Sequence, residues 1–150
     1  METFFIFGAK YLYILSALIF VLLFFKSKEK YKFIIFSLVT FALAYALALI
    51  TRATYFDPRP FAIGNFLPLI PHAADNGFVS DHTLLVSAIA SVAGFYHKRW
   101  ALYLWLIVAI VAMSRVYVGV HHLQDVVASI VIALIAAFVA KFLLNKSRMV

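Results

Sequence analysis

The chain has 150 residues, and its formal net charge at pH 7 is +7. Hydrophobic residues make up 66% of it and charged residues 13%, whereas soluble domains are typically about 25% charged. This composition excludes a water-soluble fold, and the absence of cysteine excludes disulfides and thiolate chemistry. We therefore expect residues 1–150 to form a single integral-membrane domain.

Five apolar segments along the chain predict an all-α, polytopic bundle of membrane-spanning helices. They are Tyr11–Phe25, Phe33–Ile50, Thr83–Tyr96, Ala101–Met113 and Val126–Leu144. Several are shorter than the roughly 20 residues that cross a hydrocarbon core, so we expect the helices to continue into the polar residues at their ends. Met1–Lys10 is too short to cross, and we expect it to lie at the membrane interface.

The basic residues predict how the bundle is oriented. Nine of the 13 Lys and Arg residues fall at one end of it: Lys26, Lys28, Lys30, Lys32, Lys98, Arg99, Lys141, Lys146 and Arg148. The positive-inside rule makes that end cytoplasmic. We therefore expect a multi-pass protein of the plasma (inner) membrane, with its N-terminus outside and its C-terminus in the cytoplasm. This distribution explains the positive charge without a nucleic-acid partner.

The opposite end collects most of the other polar side chains. It carries four of the six acidic residues and four of the five histidines, together with Arg52, Arg59 and Arg115. Residues 51–81 form the only long connection and hold all four prolines, so we expect a folded cap rather than another span. The sequence therefore predicts one polar site at the outer ends of the helices.

The first polar cluster is RATYFDPRPF, residues 52–61. Arg52 ends a predicted span, and Arg59 sits on a turn stiffened by Pro58 and Pro60. Two guanidinium groups that converge on one point suit a phosphate, because their planar donor forks match its oxygens. The alternative is a pair of interfacial arginines that face lipid headgroups.

The second cluster is GFVSDHTL, residues 77–84, which comes just before a predicted helix. Ser80 or Asp81 is a plausible N-cap, and the first helical N–H groups would then favour an anion. His82 would lie beside that anion in the first turn. The alternative is simple helix capping, with a histidine that has no role.

The third cluster is SRVYVGVHHLQD, residues 114–125. His121 and Asp125 are four residues apart, so on a helix they share a face. A carboxylate in that position can hold an imidazole in one tautomer and stabilise it once it is charged. Arg115 adds a cation that suits a phosphate. The alternative is an ion pair at a helix N-terminus, and we expect His122 and the loop residue His72 to be bystanders.

A metal site is the main chemical alternative for these clusters. His82, His121 and His122 could bind zinc together with aspartates. Three arginines in the same site would repel a divalent cation, however, and the sequence contains no HExxH-like pair. We therefore expect no metal and no other cofactor. The combined inventory points to phosphoryl transfer by a histidine nucleophile.

The three clusters together resemble the signature of the type 2 phosphatidic acid phosphatase (PAP2) superfamily, which reads KxxxxxxRP, PSGH and SRxxxxxHxxxD. Here Arg52 replaces the lysine, Val79 the proline and Asp81 the glycine, while the third motif is intact. Within the superfamily, YFDPRPF and IPHAADNGFVSDHT are most similar to bacterial undecaprenyl pyrophosphate phosphatases of the bacitracin-resistance (BcrC) type.

The resemblance implies a role for each matching residue. His121 would attack the terminal phosphorus and become phosphohistidine, and Asp125 would orient and stabilise it. His82 would protonate the leaving lipid phosphate and then activate water. The implied phosphate-binding residues are Arg52, Arg59, Ser80, Asp81 and Arg115. The implied partners are a polyprenyl or other lipid phosphate, with its tail between helices, and the membrane lipids.

Two alternatives stay open at this point. The same core can dephosphorylate phosphatidylglycerophosphate, phosphatidic acid or a lipid A phosphate, so the residues identify the chemistry better than the substrate. A small transporter or channel would instead line a path with ionisable residues at mid-membrane depth. The polar residues here gather at one face, which favours an enzyme. The sequence does not predict an oligomeric state.

Overall fold

The computed structural model describes residues 1–146 as an all-helical bundle, which confirms the predicted fold class. Its helices are α1 (Glu2–Lys26), α2 (Lys30–Thr54), α3 (Pro60–Ile63), α4 (Asp81–Tyr96), α5 (Lys98–Tyr117) and α6 (Leu123–Lys146). Every predicted apolar segment lies within one helix, and each helix continues into polar residues at its ends. Arg148, which the charge argument counted, lies outside the described residues.

Four of the helices are long and apolar enough to cross a membrane, namely α1, α2, α5 and α6. Helix α4 has 16 residues and therefore measures about 24 Å. It packs against all four long helices, and ten of its residues are buried. Because neighbouring helices surround it, α4 can be short and can carry Ser87 and Ser91, whereas the outer helices must present apolar side chains to lipid.

The N-terminal ten residues are a correction to the sequence prediction. Met1–Lys10 is not a separate interfacial segment, because α1 begins at Glu2 and runs without interruption to Lys26. Packing against α5 explains this extension. Phe5 stacks on Tyr117 with ring centroids 4.0 Å apart, and a side chain at Gly8 would collide with the Ser114 hydroxyl.

Small residues let the central helices approach closely. Helix α6 buries Ala133, Ala136, Ala137 and Ala140 along its length, and the α4 residues that pack around them are also mostly buried. Close packing is the main attraction between helices in lipid, where apolar tails compete equally for apolar side chains. This rigid core holds the polar ends of α2, α4, α5 and α6 at fixed positions.

Candidate active site

The alternating helix directions bring the three polar clusters to one end of the bundle. Helices α2 and α5 end there, and α4 and α6 begin there. Arg52 and Arg115 lie in the last turns of α2 and α5, whereas Asp125 lies in the first turn of α6. Residues 55–80 connect α2 to α4 over the same end of the bundle, where the sequence predicted a folded cap.

His121 lies at the centre of this site and is only 3% exposed. Its Nε2 atom is 3.3 Å from Nη1 of Arg59 and 3.4 Å from Nη2 of Arg115, and its Nδ1 atom is 3.3 Å from Oδ2 of Asp125. A guanidinium group can only donate hydrogen bonds, so Nε2 is the acceptor and Nδ1 carries the proton. The lone pair of Nε2 therefore points at the place where two arginines converge.

The surroundings of His121 favour its neutral form. Burial lowers its pKa below the ordinary value, the hydrogen bond to Asp125 raises it, and the positive charges of Arg115 and Arg59 lower it again, with a net decrease. A neutral imidazole keeps the Nε2 lone pair available at neutral pH. That is the state a histidine nucleophile requires.

Asp125 is fully buried behind His121. Besides the contact with His121, its Oδ2 atom accepts the backbone N–H of His122 at 2.8 Å. Gly77 closes over the same carboxylate, because a Cβ at that position would lie 3.3 Å from Oδ2 of Asp125. The carboxylate thus has a fixed orientation and can hold one tautomer of His121.

Arg59 is a buried residue whose three guanidinium nitrogens are all engaged. Its Nε donates to Oδ1 of Asp75 at 2.6 Å, its Nη1 to the carbonyl of Val120 at 2.8 Å, and its Nη2 to the carbonyl of Asn76 at 3.5 Å. Burial opposes ionisation of Asp75, but the bond and charge of Arg59 outweigh it and lower the pKa of that carboxyl. This bonding aims Arg59 at His121.

Arg115 has a guanidinium N–H group that no described residue accepts. Only 3% of it is exposed, and its buried Nε has no hydrogen-bond partner among residues 1–146. Buried polar groups in native proteins are nearly always paired, so an unpaired guanidinium N–H beside a histidine lone pair indicates a place for an anionic ligand.

Arg52 and Asp81 form an ion pair at the outer side of the site. Nη2 of Arg52 also donates to the carbonyl of Val79 at 3.0 Å. The side chain of Asp81 is 68% exposed and would repel a phosphate rather than bind it. The structure therefore places Asp81 where it can hold Arg52 in position.

The second cluster lies where the sequence predicted, at the start of α4. Ser80 is the N-cap residue, but its hydroxyl accepts a bond from Thr83 Oγ1 at 3.1 Å instead of capping the backbone. His82 packs edge-on against Tyr13 with ring centroids 4.8 Å apart. His82 directly follows Asp81, which pairs with Arg52, so it lies at the same end of the bundle as the arginines.

The two histidines expected to be bystanders differ in position. The Nδ1 atom of His122 lies 3.1 Å from Oδ2 of Asp57, so its ring faces away from the His121 lone pair. His72 lies closer to the centre, with its ring centroid 6.3 Å from that of His121. Burial and the nearby positive charges of Arg59 and Arg115 lower the pKa of His72.

Asn76 was missed in the sequence, although it organises the cap. Its side-chain oxygen accepts the N–H groups of Asp57 and Phe78, each at 3.0 Å, and its amide donates to the carbonyl of Tyr55 at 3.0 Å. The available signal was the Asn-Gly pair at 76–77, which is typical of a turn.

Asp57 was also missed. It is 8% exposed, and its Oδ2 atom accepts a bond from Gln124 at 2.6 Å in addition to its contact with His122. Ligand atoms of Asp57, His122 and Asp125 lie within 4.8 Å of one another, which is a different trio from the zinc set considered in the sequence. The bonds to His122 and Gln124 hold Asp57 in this position.

Comparisons with known proteins place most of the chain in one family. The family model described as PAP2 superfamily matches residues 33–149. Undecaprenyl-diphosphatase BcrC of Bacillus subtilis (strain 168) is 30% identical over 139 residues, which cover 92% of this chain and 72% of that protein. The bacitracin transport permease protein BcrC of Bacillus licheniformis is 35% identical over 106 residues, which cover 69% of this chain and 52% of that protein.

A solved structure shows the same fold. The crystal structure of Aquifex aeolicus LpxE matches with a TM-score of 0.66 and 24% sequence identity, over 92% of this chain and 81% of that one. The family match covers most of the chain and includes all three polar clusters. The chain is therefore a membrane phosphatase of the PAP2 superfamily.

Proposed function

We propose that this protein removes the terminal phosphate of undecaprenyl pyrophosphate at the outer face of the plasma membrane, and so recycles the carrier lipid for cell-wall synthesis. The observation that carries the chemistry is the Nε2 lone pair of His121, which faces Arg59 and Arg115 while Nδ1 faces Asp125. The substrate is supported by the relative named undecaprenyl-diphosphatase.

The proposed reaction has two displacements at phosphorus. In the first, Nε2 of His121 attacks the terminal phosphorus, and the bond to the bridging oxygen breaks as His82 gives that oxygen a proton. Asp125 stabilises the positive charge that the phosphohistidine ring acquires. In the second, His82 takes a proton from water, the water oxygen attacks phosphorus, the P–N bond breaks, and inorganic phosphate leaves.

The arginines stabilise the negative charge that develops on the phosphoryl oxygens. Arg59 and Arg115 already face the attacking atom, and the Nε–H of Arg115, which has no partner within residues 1–146, matches an additional oxygen. Ser80 contributes through the start of α4, where backbone N–H groups favour an anion. We assign Arg52 to the outer phosphoryl oxygens and Asp81 to the positioning of Arg52.

An apolar groove next to the site suits the lipid tail. It has a volume of about 380 Å³ and lies between α5 and α6 beside Phe5 of α1, with Met113, Leu123 and Val127 among its lining residues. Leu123 begins α6, so one end of the groove lies at the level of the catalytic residues. A polyprenyl chain in this groove would leave its pyrophosphate at the polar end of the bundle.

A panel of lipid phosphates tests the substrate assignment. Undecaprenyl pyrophosphate, phosphatidylglycerophosphate, phosphatidic acid and a lipid A phosphate should be compared in one detergent preparation by phosphate release. We expect undecaprenyl pyrophosphate to give the highest kcat/KM, by about tenfold or more. Differences in lipid tail and leaving group between it and the other three lipids are worth about 1–2 kcal/mol in transition-state binding. A higher kcat/KM for another lipid would reassign the substrate and leave the chemistry unchanged.

Chelation should leave the activity intact. Arginines provide the positive charge in the proposed mechanism, so EDTA should change kcat by less than about twofold, since no metal-bound step exists to be lost. Vanadate should inhibit, because its trigonal-bipyramidal form resembles phosphorus under attack. Loss of activity with EDTA that one divalent ion restores, together with an equal loss in Asp57→Asn, would instead assign a metal to Asp57, His122 and Asp125.

The acid limb of kcat/KM should lie at a lower pH than an ordinary histidine would give. Because the pKa of His121 is lowered from 6.5, the nucleophile stays neutral as the pH falls through 6.5, and the rate is lost only below that point. Asp125→Asn removes a bond and a charge that raise this pKa, so its limb should move lower still. A shift of the acid limb to higher pH in Asp125→Asn would contradict this prediction. Both proteins should be assayed with the same substrate, so that ionisation of the substrate affects both pH profiles equally.

The orientation is a separate proposal that rests on the basic residues at the end opposite to the site. Lys26, Lys32 and Lys141 lie together there, as the positive-inside rule requires of a cytoplasmic end. A reporter fused after Val150 should therefore behave as cytoplasmic. A reporter that is active only outside the membrane would reverse the orientation.

A further inference from the structure

A basic cavity lies at the end of the bundle opposite to the catalytic residues. It has a volume of about 490 Å³ and is formed by the α1–α2 turn, the α4–α5 turn and α6. Lys26, Lys28, Lys32 and Lys141 line it, and Glu29 is the one carboxylate among the described residues of its lining. Helix α4 separates it from the active site by about 24 Å, so the mechanism above does not use it.

The lysines of this cavity divide into two pairs. Lys32 bonds to Glu29 at 3.0 Å, and Lys26 lies over the ring of Trp100 at 5.2 Å from its centroid. Lys28 and Lys141 have no carboxylate within ion-pair distance among residues 1–146. Two ammonium groups at one cavity are thus available to an anion.

Other polar atoms at the cavity also lack partners among the described residues. The Tyr96 hydroxyl and Nε2 of His97, both on lining residues, are buried without a hydrogen bond in the described part of the chain. Helices α2 and α5 begin beside the cavity, and neither has a side-chain cap on its first N–H groups. These groups favour an anion with several acceptor oxygens, such as a phosphate.

An apolar groove continues from the cavity along the bundle. It has a volume of about 260 Å³ and is lined by residues of α4, α5 and α6, with Gly94, Phe95, Trp105 and Phe138 among them. Phe95 lines both the groove and the basic cavity. A Cβ at Gly94 would meet no atom within 4 Å, so the groove is open at that point.

We propose that the cavity and the groove form one binding site for an anionic phospholipid, with the headgroup phosphate between Lys28 and Lys141 and an acyl chain beside Gly94. Free phosphate would use the cavity alone and leave the groove without an occupant. A phospholipid matches both parts, because its charged headgroup and its acyl chain belong to one molecule, and the cavity and the groove meet at Phe95. The site lies in the membrane leaflet opposite to the active site and is independent of the proposed substrate.

The test measures the melting temperature of the purified full chain in dodecyl maltoside micelles that contain increasing phosphatidylglycerol. We expect a saturable rise in Tm that phosphatidylcholine does not produce. Lys28→Gln combined with Lys141→Gln should weaken the apparent affinity about thirtyfold, since each lysine near an anionic headgroup contributes about five- to sixfold. Gly94→Leu should also weaken it, by filling the groove without removing a charge.

The matched control removes two charges from the same end without touching the cavity. Lys30 and Arg99 are exposed and do not line it, so Lys30→Gln combined with Arg99→Gln should keep the wild-type affinity. Equal losses in the two double variants would show diffuse attraction and overturn the proposal. The proposal would also be overturned if inorganic phosphate raised the Tm as much as phosphatidylglycerol does and Gly94→Leu had no effect. That result would assign the cavity to a free anion. The Tm of each variant without lipid reports whether it is folded.

Discussion

Replacement of His121 by alanine should abolish phosphate release, with a loss of several orders of magnitude in kcat. The reason is the position of its Nε2 lone pair, which faces the Nη atoms of Arg59 and Arg115 at 3.3 and 3.4 Å. No other nitrogen in the described residues has this combination of a donor-rich face and an orienting carboxylate. The same variant should form no phosphoenzyme when it is quenched in acid-free buffer after mixing with radiolabelled substrate.

His122→Ala is the matched control, because it removes the same side chain one residue along. Its backbone N–H donates to Asp125 and survives the substitution, whereas the lost ring contact is to Asp57. We therefore expect His122→Ala to stay within about tenfold of the wild type, the cost of about one hydrogen bond. An essential His122 with a dispensable His121 would move the nucleophile and reject the mechanism, provided that both variants elute as monodisperse protein.

Two further substitutions should fall between these limits. Asp125→Asn keeps the shape of the side chain but removes the charge that stabilises His121, so an intermediate loss is expected. His82→Ala should be severe with a lipid leaving group, since proton transfer is worth about 10²–10⁴-fold. A substrate with a good leaving group should partly restore the first step in His82→Ala and should not restore His121→Ala.

The fold could be predicted well because lipid imposes a simple rule on the outer helices. Long apolar runs identify α1, α2, α5 and α6, and the basic residues identify their common end. The first ten residues were misjudged because their contacts are with α5, in particular the stacking of Phe5 on Tyr117. Hydropathy averaged over a short stretch of sequence gives no information on a contact between residues that are more than a hundred positions apart.

The contact between His121 and Asp125 could be predicted because these two residues lie close together in the chain. They are four residues apart, and their side chains are in contact as this spacing suggested, although His121 lies two residues before α6 begins and so does not share a helix with Asp125. Asn76 acts on Asp57, 19 residues away, and Arg59 reaches Val120, 61 residues away. Those contacts depend on how the cap folds over the helix ends. The prolines of the cap indicate a turn, but they do not determine which residues the turn contacts.

Arg59→Lys should lower kcat/KM by about 10²–10³-fold, the usual cost of one group that stabilises transition-state charge. Arg59 uses Nε for Asp75, Nη1 for Val120 and His121, and Nη2 for Asn76. A lysine carries a single nitrogen and cannot make these bonds at once. Its ammonium would stay with Asp75 or approach His121, and the phosphate would lose a fixed donor.

Arg52→Lys is the control for this prediction, since it makes the same chemical change in the same site. Among residues 1–146, Arg52 uses only Nη2, which contacts Asp81 and the carbonyl of Val79, and one ammonium group can make both contacts. We therefore expect Arg52→Lys to stay within about fivefold of the wild type, because a single-nitrogen site treats the two cations as nearly equivalent point charges. Phosphate release from undecaprenyl pyrophosphate over a range of concentrations gives kcat/KM for both variants. Equal losses would show that charge alone matters at these positions, and a larger loss in Arg52→Lys would place the main phosphate contact at Arg52 instead of Arg59.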